Sequence, residues 1–352
     1  MKSHTAQALT SVALFRRGTN SVKTTQIVAA ISLICFCQVL VSSPQVCAEG
    51  NRAKVGIVSS IDQTKQPCYI ILPTGYAKDT ATRPLLVSLH SWSADLEQRN
   101  KALEAEADRL GWIYLFPNFR GANKHPDACG SLKAQQDIID AVQWAKVNHR
   151  VDTSRIYLSG NSGGGHMTML MSGRFPDVWA AASAWVGISD LSAWHKKHKD
   201  TRYGAMMRAA CGGAPGDSIA VDKQYFVRSP LTYIENAKNL PLDISAGVLD
   251  GHTGSVPISH SLRAFNAIAK ARKEPTISSA EIAQLSQKNG RLAKPTKSDQ
   301  VVDESFGREI HLRRHTGPVR VTIFEGGHEG IAKASVAWLS KHAKSKKPLP
   351  TK

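Results

Sequence analysis

Ser162 lies in Gly160-Asn161-Ser162-Gly163-Gly164, which has the form G-x-S-x-G. Residues 156–158 before it are apolar, and an apolar stretch of helical length follows. That is the shape of a sharp strand-to-helix turn that lifts a serine hydroxyl for attack. A serine hydroxyl is a poor nucleophile at neutral pH, so it needs an adjacent base, and the base needs an orienting acid. On this kind of turn the chain order is serine, acid, histidine. His328 fits the base, in Phe324-Glu325-Gly326-Gly327-His328-Glu329-Gly330, directly after a predicted strand. Its flanking glycines let the backbone turn sharply. Asp250 is the first candidate acid, because Gly247-Val248-Leu249-Asp250 follows another predicted strand. Asp190, one strand earlier, is the second, while Glu325 and Glu329 lie too close to His328 in sequence to orient it. His166 falls in the helix after Ser162 and is expected to pack there, away from the hydroxyl. An oxyanion hole would use the Gly163 N–H and one more backbone donor from His90-Ser91-Trp92, either Ser91 or Trp92. The Trp92 ring is a candidate wall for a substrate pocket.

The elements that must position these groups are legible as alternating runs. Strands are predicted at 68–72, 85–89, 112–116, 156–158, 180–186, 242–246 and 319–324, and helices at 96–110, 131–147, 163–171 and 331–342. Strands alternating with helices predict a mostly parallel central sheet with helices on both faces. Two stretches break the repeat. Residues 191–235 read as an irregular excursion over the site. Residues 274–312 are polar and lysine-bearing, with Ser279-Ala280-Glu281-Ile282 able to start a short helix. Both are candidate lid or substrate-contact segments.

The chain has 352 residues, 42% of them apolar, enough for one large α/β domain. Its first residues read as a secretory leader. Lys2, Arg16, Arg17 and Lys23 precede a mainly apolar run at 27–41, and Val46-Cys47-Ala48 offers a cleavage site after Ala48. The run is short for a membrane span. The expected organisation is a signal peptide at 1–48, a linker at 49–65, a catalytic domain at 66–343 and a basic tail at 344–352. The product would be secreted or periplasmic. Three cysteines fall in the leader; Cys68, Cys129 and Cys211 remain, with Cys129 and Cys211 a candidate disulfide pair in glycine-rich loops. The formal charge is +17, and removing four basic and no acidic leader residues brings it near +13. Much of that charge is local, in His195-Lys196-Lys197-His198-Lys199 and in the tail. No nucleic-acid motif accompanies it, so solvated surface and loose attraction to anionic surfaces are the expectation, and no nucleic-acid partner is expected. No Cys/His spacing resembles a zinc site, and the serine chemistry calls for no metal or organic cofactor.

Gly160-Asn161-Ser162-Gly163-Gly164, Gly247-Val248-Leu249-Asp250 followed by Val256-Pro257, and Gly326-Gly327-His328 together resemble the catalytic domain of the prolyl oligopeptidase family, within the α/β-hydrolase superfamily. The resemblance spans roughly residues 66–343. It implies an α/β-hydrolase fold with Ser162 as nucleophile, Asp250 as acid and His328 as base. His90-Ser91-Trp92-Ser93 departs from the His-Gly form common in that family's oxyanion loop. This loop and the Ser-Gly-Gly segment are also similar to secreted feruloyl, acetylxylan and polyhydroxyalkanoate esterases. Larger peptidases of the family carry an N-terminal β-propeller, for which the stretch before Cys68 is expected to be too short. The implied activity is hydrolysis of an ester or peptide bond through an acyl-enzyme, by a peptidase or by a carboxylesterase acting on small or polysaccharide-linked esters. A non-catalytic binding protein on the same scaffold is the third expectation. The sequence is silent on oligomeric state.

Overall fold

The uninterrupted apolar run Leu85-Leu86-Val87 forms the middle of strand β3 (Arg83–Leu89), whose residues after Arg83 are all buried. A strand buried on both faces needs a layer of helices on each side. The computed structural model of the protein describes residues 52–345 and supplies those layers. The predicted leader at 1–48 and residues 346–352 of the basic tail lie outside the described residues.

The described residues hold a nine-stranded sheet in the order β1-β2-β4-β3-β5-β6-β7-β9-β8. Strands β4 (Ile113–Pro117), β3, β5 (Val151–Asn161), β6 (Ala181–Trp185), β7 (Leu242–Gly247) and β9 (Val319–Phe324) run parallel. Antiparallel strands close each side: β1 (Arg52–Val58) and β2 (Lys65–Ile71) at one, β8 (Ile310–Thr316) at the other. The helices include α1 (Lys101–Arg109), α2 (Leu132–Asn148), α3 (Gly163–Arg174), α7 (Ser259–Ala271) and α9 (Ala332–Leu339). This is the α/β-hydrolase architecture expected from the alternation of strands and helices.

Several boundaries differ from the sequence reading, each for a physical reason. Residues 49–65, expected as a linker, contain β1; its mostly exposed edge residues carry no apolar run to mark it. Helix α1 begins at Lys101, not at 96, because Asn100 caps it by accepting the Leu103 N–H at 3.2 Å. Leu96 belongs instead to a turn whose N–H donates to Asn118 Oδ1 at 3.0 Å. Strand β8 hides in a polar stretch because its arginines are paired with acids: Arg313, buried, reaches Asp303 at 2.8 Å, and the half-buried Arg314 binds Asp299. Helix α7 has no counterpart among the expected elements.

The excursion at 191–235 is not irregular. It folds into three helices, α4 (Leu191–His198), α5 (Arg202–Cys211) and α6 (Ile219–Arg228), capped by Asp190, Thr201 and Ser218. Each is short, and the basic run in α4 masks its helical period. In the second excursion α8 (Ser279–Leu285) forms where a helix start was expected, closed by a reciprocal Ser278–Glu281 capping box.

Candidate active site

Strand β5 ends at Asn161 and α3 starts at Gly163, so Ser162 alone makes the corner, with φ 58° and ψ −116°. A non-glycine residue holds such a conformation only when its surroundings enforce it. Here the Ser162 N–H donates to Trp185 O at 2.9 Å, and its carbonyl accepts the His166 N–H at 2.8 Å. The two following glycines are a packing requirement. A Cβ on Gly163 would overlap the backbone of Trp92, and one on Gly164 would overlap the Leu89 carbonyl oxygen. The first turn of α3 therefore lies against the loop leaving β3, with the Trp92 backbone nitrogen beside Gly163.

That loop is held by side chains from the following turns. His90 stacks on Phe119 with ring centroids 3.8 Å apart, and its Nε2 lies 2.8 Å from Asn118 O. Its Nδ1 lies 3.0 Å from Ser91 O, and burial pushes its pKa down. Of the two donors left open by the sequence, Ser91 is already engaged: its N–H donates to Gln98 Oε1 at 2.7 Å. Among the described residues the Trp92 N–H has no hydrogen-bond acceptor. The Trp92 ring departs from expectation. It is 1% exposed, packed on His166 at 5.7 Å and on Trp194 of α4 at 4.7 Å, so it supports the helical cap and does not wall an open pocket.

Beyond β7, the turn at 247–250 brings Asp250 under the loop that carries His328. Asp250 Oδ2 lies 2.9 Å from His328 Nδ1. Its other oxygen accepts the N–H groups of Gly251 at 2.9 Å and Val256 at 3.1 Å. Asp250 is 2% exposed, so these donors satisfy a carboxylate removed from water. Gly330, two residues after His328, packs on the Asn161 side chain, which brings the histidine loop to the nucleophile turn. Among the described residues no hydrogen bond joins Ser162 Oγ to His328; in free enzymes such contacts are often long and tighten with substrate.

The competing candidates have other work. Asp190 Oδ1 accepts the Ala193 N–H at 3.0 Å as the cap of α4. Glu325 pairs with His311 at 2.9 Å, and Glu329 with Arg308. His166 is fully buried, with Nε2 2.8 Å from Arg228 O, and burial takes its pKa down to about 4. Its ring packs on Trp92, the interior packing expected of it. The basic run at 195–199, expected as solvated surface, is partly built into the fold. His195 is buried, Lys197 donates to Gly251 O at 2.9 Å, and His198 Nε2 lies 2.6 Å from Ser255 O. Helix α4 is thereby tied to the loop that holds Asp250, and no sequence motif marks these contacts.

A cleft of about 240 Å³ opens beside the nucleophile turn, with Ser91, Gln98, Asn100, Lys101, Phe116 and Asn161 on its walls. Its lining is mainly polar.

A model of the prolyl oligopeptidase family matches residues 103–282, more than half of the chain. The matched span contains Ser162 and Asp250 and stops before His328. Among curated proteins the chain is similar to feruloyl esterase B of Neurospora crassa, 28% identical over 151 residues, which covers 39% of this chain and 52% of the relative. It is also similar to a probable acetylxylan esterase A of Neosartorya fischeri, 25% identical over 135 residues and covering 34% of each. The chain thus spans about half or less of the length of these relatives. Among solved structures, uncomplexed acylaminoacyl peptidase of Pyrococcus horikoshii superposes with a TM-score of 0.54 at 17% identity, over 83% of this chain and 40% of that one. A puromycin-hydrolyzing peptidase of Mycobacterium tuberculosis gives 0.51 at 20% identity, over 62% of this chain and 34% of that one. At those identities the likeness speaks for the fold.

Proposed function

The chain belongs to the prolyl oligopeptidase family, and from that premise we propose that it hydrolyses a carboxylic ester through an acyl-enzyme on Ser162. The observation that carries the reading is the buried Asp250 carboxylate on His328 Nδ1, at 2.9 Å, in the loop that packs on the Ser162 turn. His328 Nε2 takes the proton as Ser162 Oγ attacks the carbonyl carbon. Asp250 holds the ring in the tautomer with the proton on Nδ1 and stabilises the imidazolium that forms. The oxyanion is received by the N–H groups of Gly163 and Trp92. Gly163, first residue of α3, is one of the helix's orphan donors, and Trp92 N lies beside it. Ser91, whose N–H is spent on Gln98, is left out of this role. His328 then protonates the leaving alcohol and activates the water that releases the acid.

Ester hydrolysis is put first because the curated relatives are a feruloyl and an acetylxylan esterase. The small polar cleft beside the site suits a short or hydroxyl-rich substrate portion. The second reading, a serine peptidase, is supported by the family model and uses the same machinery with an amine leaving group. Secretion is proposed with either reading, on the basic and apolar pattern of residues 1–48.

The test is labelling of the folded protein with a fluorophosphonate, followed by turnover of p-nitrophenyl esters and of aminoacyl and prolyl amides. The expected result is a label on Ser162, ester turnover, and a kcat in Ser162→Ala reduced by roughly 10⁵–10⁶-fold. Asp250→Asn should lose about 10⁴-fold through the wrong imidazole tautomer. Amide turnover without ester turnover would favour the peptidase. Absence of labelling and of all turnover would leave a binding protein on a hydrolase scaffold.

A further inference from the structure

Two of the three cysteines among the described residues meet in space. Cys129 lies in the loop between β4 and α2, three residues before Leu132; Cys211 is the last residue of α5, 82 positions later. Both are buried, and each thiol shifts the titration of the other, which makes them neighbours. They share an apolar cluster with Trp92, Trp194, Met207 and Tyr225. Cys68 lies on β2 in a different cluster, so it does not compete for either partner. The sequence left this pair open, and the structure holds both as free thiols in contact.

We propose that Cys129 and Cys211 are a disulfide-forming pair that fastens the helical cap to the loop behind the oxyanion site. The connection is short. The Cys129 N–H donates to Asn123 Oδ1 at 2.8 Å, and the Asn123 N–H donates to Trp92 O at 3.0 Å. Trp92 is the residue whose backbone nitrogen lies beside Gly163. On the cap side, Cys211 ends α5, and the next residue but one, Gly213, accepts the Tyr225 hydroxyl of α6 at 3.1 Å. A Cys129–Cys211 bond would therefore join α5 and α6 to the segment that sets the Trp92 backbone.

The chemistry needs a disulfide-bearing oxidant, such as the oxidised form of a dithiol protein or glutathione disulfide. Cys211 is the nucleophile: the neighbouring Cys129 thiol and Arg228 lower its pKa, while that of Cys129 rises. The Cys211 thiolate attacks one sulfur of the oxidant, and the other sulfur leaves as a thiolate. Cys129 then loses its proton and attacks Cys211 Sγ, expelling the second thiol. One Sγ–Sγ bond forms, two S–H bonds are lost, and the oxidant takes up two electrons and two protons. Burial of both thiols makes folding the time at which the oxidant reaches them.

The test refolds the full chain from denaturant in oxidising glutathione buffer, traps free thiols by alkylation under denaturing conditions, and maps peptides without reduction. The expected product is a linked peptide pair carrying Cys129 and Cys211, with Cys68 alkylated. Alkylation of both Cys129 and Cys211, or a link from either to Cys68, would overturn the proposal. The fastening role is read by melting: reductant should lower the Tm of the oxidised protein by roughly 5 °C and leave a Cys129→Ser/Cys211→Ser variant unmoved. Equal melting of the linked and reduced wild-type forms would overturn that role even if the bond is found.

Discussion

Gln98 grips Ser91 with both atoms of its amide: Oε1 accepts the backbone N–H at 2.7 Å and Nε2 donates to Oγ at 3.0 Å. The grip engages the Ser91 N–H, so in the proposed reaction the oxyanion is left to the Trp92 N–H. Gln98 therefore acts through the loop, as a positioning residue. Gln98→Ala should lower kcat by up to about 10²-fold, the cost of misplacing a reacting group by an ångström, with little change in KM. Gln98→Glu should recover part of the loss, since one carboxylate oxygen can still accept the Ser91 N–H. An Ala variant with wild-type kcat would remove Gln98 from the account. Nothing in the sequence singles out Gln98, because it lies seven residues from Ser91 in a turn with no repeating pattern.

At the scale of elements, the start of α3 is pressed against the end of β3 more closely than side chains allow. Gly164 faces the Leu89 carbonyl oxygen, and that backbone is held in the sheet between β4 and β5. Neither partner can move far. Gly164→Ala should destabilise the protein by about 1–3 kcal/mol, as overpacking does, and displace the Ser162 corner as well. Urea unfolding measures the first effect and ester turnover the second. Unchanged values for both would mean that the helix can back away. The glycines were legible in the sequence, but what they approach was not. The same holds for α4–α6, whose existence as helices depends on packing Trp194 and Tyr225 into a core shared with Trp92.

Across the whole molecule, buried histidines set an acid limit on stability. His166 and His260 lie in the interior, and burial brings both pKa values down from 6.5 to about 4. Between those values the unfolded chain binds protons that the folded protein refuses, so stability rises with pH through this window. The contribution is fully present above pH 6.5 and is lost as the pH falls toward 4. Tm should accordingly fall from pH 6.5 to 5, above the range in which ordinary carboxylates titrate, and a His166→Gln/His260→Gln variant should show a flatter profile. A wild-type Tm that is level over that interval would contradict the burial of neutral histidines.

The sequence by itself marked the sheet's parallel core, the Ser162 turn, and the chain order Ser162, Asp250, His328 of the proposed triad. These rest on local signals: apolar runs, and glycines at the strand ends that follow them. Tertiary structure decided what depends on distant partners. It placed Asp250, and not Asp190, on His328, because Asp190 is consumed in capping α4. It engaged the Ser91 N–H and left that of Trp92 without an acceptor among the described residues. It turned the polar stretch at 310–316 into an edge strand by pairing its arginines with acids from elsewhere in the chain. It also brought Cys129 to Cys211 across 82 positions. A backbone turn is encoded where it occurs, whereas the partner of a buried polar group is chosen only when the chain folds back on itself.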